Sequence, residues 1–247
     1  MSVFFGCNIG VVGSFMQLLE LPSDSAKFIA FCDQDDVWGD CKIEKALNLI
    51  TRIKPLTPVL YFSALTVVDA ELNHISVLRQ VNQKASFENS LVENVATGCT
   101  TVINRSALHL VCGKNININK IRNHDWWLYQ VISTFGVMIY DDNPTIEYRQ
   151  HGGNVVGASS GLKLWVNRID RYFGLKNREA MNQATELLRL YGNEMCNEKH
   201  NCLSEFIEKS QDESFFNRFK YAVKAPVFRQ NSFDDKILRL WIIFGGM

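Results

Sequence analysis

The sequence lacks several features that would assign it to particular classes of protein. Basic and acidic residues balance at 26 each, so no net charge attracts nucleic acid or an anionic membrane, and we expect no nucleic-acid partner. No apolar stretch approaches the roughly 20 residues that span a bilayer. The apolar start has no basic segment of the kind that opens a signal peptide. Internal repeats and low-complexity runs are also missing, which leaves an ordinary globular chain of 247 residues.

The seven cysteines do not form a C-x-x-C pair, which is the spacing typical of zinc sites. Their number is odd and their spacing is scattered, so a disulfide framework is not indicated. Free thiols in a reducing compartment explain this usage, and we therefore expect a cytoplasmic protein.

Two regions differ in their hydrophobic periodicity. Strand-like and helix-like segments alternate through residues 1–158, which predicts an α/β domain. Residues 159–247 instead carry helical periodicity in five segments, at 162–173, 179–195, 203–210, 215–224 and 234–244. These segments mix aromatic and basic side chains, which suits either packing on the first domain or docking on a membrane surface. We expect packing.

Three acids follow the first predicted strand, in the segment CDQDDVW at residues 32–38. On an extended backbone Asp33 and Asp35 point the same way and can hold one hard cation, Mg²⁺ or Mn²⁺, which in turn binds a diphosphate. Ligand sites of α/β sheets lie at the carboxyl ends of strands, which is where these acids fall. A solvated turn in which Asp35 or Asp36 caps the next helix explains the acids equally well.

Two classes of metal-dependent enzyme fit this segment. Nucleotide-sugar transferases hold the metal of the donor diphosphate on a D-x-D motif. Haloacid-dehalogenase-type phosphohydrolases begin with an apolar strand and D-x-D-x-[TV], and residues 28–37 match that template. Segments ending at Ser63 and Asp142 resemble later motifs of the phosphohydrolases, and Lys114 or Lys120 could serve as their lysine.

The segment NHDWW, residues 123–127, begins a predicted helix. The helix dipole stabilises an acid such as Asp125 in the first turn. At the edge of a cleft the same carboxylate could act as a general base toward a sugar hydroxyl. Trp126 and Trp127 cannot both face one core, so we expect one ring to line a cleft, where aromatic faces suit sugar rings.

The segment YRQHGG, residues 148–153, ends another predicted strand with Arg149 and His151. The two glycines allow the backbone to approach a ligand closely. A lone histidine is more often structural, but here it could supply a third metal ligand. The phosphohydrolase hypothesis explains neither this segment nor NHDWW.

Four segments, in order along the chain, resemble the bacterial family 2 glycosyltransferases of GT-A fold, in particular their rhamnosyltransferase-like branch. The segments are FIAFCDQDDVW, ENVATGCTTVINR, HDWWL and YRQHGGNVVGA. The resemblance implies a partial GT-A, Rossmann-like mixed sheet in residues 1–158, followed by a C-terminal helical region. It also implies an inverting transferase that uses Mg²⁺ or Mn²⁺.

The resemblance further implies roles for individual residues. Asp33 and Asp35 match the motif that binds the metal and the donor diphosphate, and His151 matches the histidine that completes the metal site. Gly98 matches the loop that shapes the cleft, and Asp125 matches the catalytic base. The remaining candidate substrate contacts are His124, Trp126, Trp127 and Arg149.

The family resemblance also implies the substrates, with dTDP-rhamnose as donor and a surface polysaccharide or lipid-linked oligosaccharide as acceptor. It suggests a location at the inner face of the plasma membrane. Family members begin with a strand–helix unit that holds the nucleoside, and this chain starts almost directly after that unit. We therefore expect an exposed strand edge and weak donor binding, unless a separate N-terminal half chain supplies the unit. A non-catalytic remnant, or a subunit of a split transferase, is the third hypothesis.

Overall fold

A computed structural model describes residues 6–150 and 176–245 of the chain. The helices in this part are α1 (Gly10–Leu18), α2 (Lys42–Ile50), α3 (Phe87–Ser90), α4 (Arg105–Val111), α5 (His124–Phe135), α6 (Lys176–Tyr191), α7 (Asn197–Ser210), α8 (Phe215–Lys224) and α9 (Ser232–Phe244). The strands are β1 (Phe28–Ala30), β2 (Val37–Trp38), β3 (Val59–Ser63), β4 (Leu65–Val68), β5 (His74–Leu78), β6 (Val102–Asn104), β7 (Val137–Asp141) and β8 (Ile146–Arg149).

The strands form two mixed four-stranded sheets, in the orders β1-β6-β3-β7 and β2-β8-β4-β5. In the first sheet β3 runs parallel to β7, with Leu60 opposite Met138, and antiparallel to β6. The chain crosses to the second sheet at Ala64, whose N–H donates to the carbonyl of Asp141 at 2.8 Å. Within the described residues, β1 is an edge strand that pairs only with β6. The mixed sheets and the helices that follow confirm the predicted α/β class and the C-terminal helical region.

Helix α5 lies at the centre of the molecule, and its residues from Trp126 to Thr134 are all buried. Trp126 donates its indole N–H to the carbonyl of Ser90 at 2.7 Å, while Trp127 packs near the ring of Tyr191. Both tryptophans belong to one core cluster, so the expectation that one of them lines a cleft is wrong. The helix is enclosed on every side, and two rings that point in different directions therefore both meet apolar neighbours.

The C-terminal helices share the core of the sheet-containing part. Leu187, Leu203 and Leu238 belong to the same buried cluster as Leu60 and Leu128. The helical segment predicted at residues 162–173 and the domain boundary at residue 158 lie outside the described residues. Among the described helices, none combines the length and the hydropathy needed for a transmembrane span.

Gly136 ends α5, but its φ of −137° is not in the left-handed region that often explains a glycine at a helix end. Close packing explains the glycine instead, because a Cβ atom here would lie 2.1 Å from the carbonyl oxygen of Pro58. That backbone contact holds the end of α5 against the start of β3, where Val137 donates to the same carbonyl at 2.9 Å.

We expect Gly136→Ala to lower the free energy of unfolding by about 2 to 3 kcal/mol, because backbone atoms must move apart to admit the methyl group. Gly192→Ala is the matched control, since a methyl group there meets only side-chain atoms, the nearest of them on Leu188 at 3.2 Å. The control should change stability by about 0.5 kcal/mol or less. Urea denaturation of both variants checks this expectation, and equal effects would contradict it.

Candidate functional site

Four parts of the chain that are distant in sequence meet beyond the end of β1. They are the acidic segment after β1, the 3-10 turn Gly98–Thr100, the first turn of α5 and the end of β8. Hydrogen bonds join them in pairs: Asp125 accepts from the N–H of Gly98 at 3.0 Å, and Asp36 accepts from the N–H of Arg149 at 3.1 Å. Because these segments come together, most of the candidate site residues from the sequence lie in one region.

Asp125 is half-buried in the first turn of α5, and both of its carboxylate oxygens are held. Oδ2 accepts from the N–H of Gly98, and Oδ1 accepts from the N–H of Trp126 at 2.7 Å. The first turn of a helix has N–H groups without helical partners and favours a negative charge there. The carboxylate is therefore fixed in orientation against the Gly98 turn.

Asp33 lies close enough to several other acids to feel their charge. Burial is the largest of the effects that together raise its pKa to about 6; the carboxylates of Asp36, Asp35 and Asp125 add to it in that order, while Lys42 opposes them. Like charges that are partly removed from water disfavour one another's ionisation. The region therefore has an excess of negative charge that a bound cation would relieve.

The acids are not arranged as the sequence predicted. Gln34 and Asp35 form a turn, so the extended backbone that was expected to align Asp33 with Asp35 is wrong. Side chains in a turn do not alternate in direction as they do along a strand, and this turn brings Asp33 close to Asp36 instead. Ligand atoms of Asp33, Asp36 and Cys99 lie within 4.8 Å of one another.

The residues present fit a hard divalent cation. Oδ2 of Asp36 is a buried oxygen without a hydrogen-bond partner among the described residues, and such an atom is costly unless it finds one. Carboxylate oxygens suit Mg²⁺ and Mn²⁺. Burial raises the pKa of the Cys99 thiol, so the two carboxylates are the better ligands. Metal binding by Asp33 and Asp35 stays a prediction, and His151 lies outside the described residues.

Lys42 is a residue of this region that the sequence analysis missed. It is the first residue of α2 and is 1% exposed, with its ammonium group 3.7 Å from the centre of the Trp38 ring. The ammonium donates to the carbonyl of Cys99 at 2.5 Å and to that of Phe31 at 3.3 Å. Burial lowers the pKa of Lys42 to about 8. One buried cation thus ties the strand end that precedes the acids to the Gly98 turn.

A signal for Lys42 was present in the sequence. It lies four and eight residues before Ala46 and Ile50, which are buried on the same face of α2. A lysine in line with an apolar stripe has to be buried with it or to extend its ammonium group past it.

Arg149 holds the acidic segment from the second sheet. Its Nε donates to the carbonyl of Asp35 at 3.0 Å, and its Nη1 donates to the carbonyl of Ala70. Both bonds go to main-chain oxygens, so the observed role of the guanidinium is to fix the turn. A direct contact with substrate stays a prediction.

His124 forms part of the floor under the Gly98 turn. Its ring stacks on Phe15, with centroids 3.8 Å apart, and its Nε2 is buried without a hydrogen-bond partner in the described part of the chain. Burial lowers the pKa of His124, which favours the neutral ring, while Asp125 opposes this effect. A Cβ atom at Gly98 would lie 2.9 Å from this nitrogen, which explains the glycine.

A surface pocket elsewhere is a weaker candidate. It has a volume of about 520 Å³ and is lined by residues 115–118, Lys120, Glu186 and Arg189. Its principal charges are already satisfied, because Glu186 pairs with Arg189 at 2.6 Å and accepts from the N–H of Asn117 at 2.7 Å. The convergent acids near β1 are the better site.

The chain is similar to the dTDP-rhamnosyl transferase RfbG of Shigella flexneri. The two proteins share 27% identical residues over 167 aligned positions, which cover 65% of this chain and 56% of the relative. The chain thus spans little more than half the length of the curated relative that it matches. No protein-family model matches the sequence.

We expect Lys42→Met to lower the free energy of unfolding by about 1 to 3 kcal/mol, because two buried carbonyls lose their donor. Lys54→Met removes an exposed ammonium group and is the control, with an effect of about 0.5 kcal/mol or less. Chemical denaturation at neutral pH measures both variants. A Lys42→Met protein as stable as the control would contradict the role assigned to this cation.

We expect Asp33→Asn to raise stability at pH 7, because it removes a carboxylate whose pKa burial and its neighbours have raised. Mn²⁺ at 100 times its dissociation constant should stabilise the unmodified chain by about 2.7 kcal/mol and leave Asp33→Asn unaffected. Asp40→Asn, in the exposed segment just before α2, should keep the full response to Mn²⁺. Thermal unfolding with and without Mn²⁺ gives the result, and a full response in Asp33→Asn would exclude Asp33 as a ligand.

Proposed function

We propose that the chain is a glycosyltransferase, or the larger part of one, and that it moves a sugar from a nucleotide-diphosphate donor to a saccharide acceptor. The observation that carries the proposal is the meeting of the Asp33–Asp36 pair with Asp125 across the Gly98 turn. The similarity to a protein named as a dTDP-rhamnosyl transferase supports rhamnose as the sugar and dTDP as its carrier.

In this proposal the paired carboxylates hold Mg²⁺ or Mn²⁺, with Asp35 and His151 as further candidate ligands from the sequence. A cation bound there would neutralise the diphosphate that leaves. The protein's own contribution is to keep two half-buried acids at one strand end. Arg149 and Lys42 hold that end in place through main-chain carbonyls.

Asp125 is the proposed general base. Its carboxylate takes the proton of an acceptor hydroxyl while that oxygen forms a bond to the anomeric carbon, and the bond from that carbon to the diphosphate oxygen breaks. A single displacement of this kind inverts the anomeric configuration. The two N–H groups that hold Asp125 fix its orientation, which favours proton transfer along one direction.

The acceptor and the place of action are also proposals. We propose a surface polysaccharide or a lipid-linked oligosaccharide, elongated in the cytoplasm at the inner face of the plasma membrane. Calorimetry with dTDP-rhamnose and Mn²⁺ measures how tightly the chain binds this donor.

The phosphohydrolase is the alternative, and specific contacts count against it. Ser63, which its second motif requires at the phosphate, is fully buried and shares a hydrogen bond of 2.6 Å with the hydroxyl of Thr145. Asp142 pairs with Arg79 at 3.0 Å, and Lys114 pairs with Glu194 at 2.5 Å. These three candidate motif residues thus make structural contacts.

We expect Asp125→Asn to slow the release of dTDP from dTDP-rhamnose at least 100-fold, because general-base catalysis typically contributes that much. Asp142→Asn, on an exposed carboxylate that resembles a phosphohydrolase motif, should keep the full rate. The rates are followed by chromatography of the nucleotide products. An unchanged rate in Asp125→Asn would exclude it as the base, and a beryllofluoride adduct on Asp33 would favour the phosphohydrolase.

A further inference from the structure

Helices α8 and α9 form an antiparallel hairpin. Phe215 at the start of α8 meets Phe244 at the end of α9, with ring centroids 5.9 Å apart. Arg239 fixes the connection, since its guanidinium donates to the carbonyls of Ala222, Ala225 and Val227 at 2.6 to 3.0 Å. One face of the hairpin is buried in the main core through Tyr221, Ala222, Leu238 and Ile242.

The opposite face of the hairpin exposes large apolar side chains. We define the aromatic patch as Phe215, Phe216, Phe219, Val223, Leu240 and Phe244, which are between 47% and 71% exposed. Positions 215, 219 and 223 follow one another at intervals of four residues, as do 240 and 244, so each helix carries a stripe. The contact between Phe215 and Phe244 joins the two stripes. A continuous apolar surface of this kind marks an interaction site.

The charges beside the aromatic patch are positive. Lys220 and Lys224 are exposed on α8, which has no acidic residue, and Lys236 is exposed one turn before Leu240 on α9. Four acids lie near the hairpin, but Asp235 pairs with Arg239, Asp212 and Asp234 are half-buried, and of the four only Glu213, just before α8, is exposed. The two helices thus pack on the core through one face, as the sequence predicted, and leave a second, apolar face with lysines beside it exposed.

We propose that the aromatic patch binds the surface of an anionic lipid bilayer. Its apolar side chains would enter the boundary between headgroups and acyl chains, and its lysines would contact the anionic headgroups. Helices of 10 and 13 residues are too short to span a bilayer and suit this surface position. A second copy of the chain fits less well, since a symmetric contact would bring the same lysines together. The inference rests on the proposed function only for the identity of the membrane that carries the acceptor.

The test is sedimentation of the full chain with vesicles of phosphatidylcholine alone or mixed equally with phosphatidylglycerol. We expect binding to the mixed vesicles and little binding to phosphatidylcholine alone. The double variant F216S/V223S should reduce binding to the mixed vesicles by roughly tenfold or more. Leu56→Ser is the matched control, because Leu56 is 90% exposed in the segment between α2 and β3 and should not matter.

The lysines give a second readout. Changing Lys220 or Lys224 to Gln should weaken binding about fivefold for each residue, and the difference should vanish at high salt. Equal binding of F216S/V223S and the unmodified chain, or no binding to anionic vesicles, would overturn the inference. A dimer that F216S/V223S dissociates would assign the aromatic patch to a second copy instead. Release of dTDP from dTDP-rhamnose by F216S/V223S without vesicles should be unchanged, which separates this result from failure of the proposed reaction.

Discussion

The ammonium group of Lys42 lies between two loops that must stay together for the acids and Asp125 to face one another. Its two bonds go to main-chain carbonyls, one before the acids and one in the Gly98 turn, so a single buried cation sets the spacing of both. Its charge also lowers the pKa of Asp33 and opposes the surrounding acids. Burying a cation is costly unless its partners are close, and here nearby carboxylates and two carbonyls offset that cost. Because Arg149 fixes the acidic turn from the other sheet, the turn is held from both sides.

Helix α5 connects this site to the core of the molecule. It is buried along nearly its whole length, yet its first turn emerges beside the Gly98 turn with Asp125 half-exposed. Nine successive buried residues leave the helix no freedom to rotate or slide without opening the core. The carboxylate of Asp125 is thus positioned by packing far from the site, while its two N–H partners set only its final orientation.

Local periodicity predicted much of the fold, and long-range contacts decided the rest. The start of α5, the strand β3 and the helices α6 to α9 follow from apolar spacing that is visible in the sequence. The pairing of Asp33 with Asp36 does not, because it depends on a two-residue turn rather than on the pattern of side chains. Neither the burial of both tryptophans nor that of Lys42 follows from local pattern, since each depends on segments that come from elsewhere in the chain. For the proposed site, the sequence indicated which segments meet but not which side chains pair or how they are held.

The raised pKa of Asp33 links stability to the proposed chemistry. Its pKa rises from 3.8 to about 6 on folding, so the folded state binds this proton more tightly than the unfolded state does. The stability that this carboxyl contributes is therefore present below pH 3.8 and is lost as the pH rises through 6. At neutral pH the carboxyl of Asp33 is ionised, which lowers the stability of the folded state. Such a cost is common at sites that must bind a charged ligand. Binding of the proposed divalent cation would reverse the sign, because it would favour the ionised form and so stabilise this segment at neutral pH.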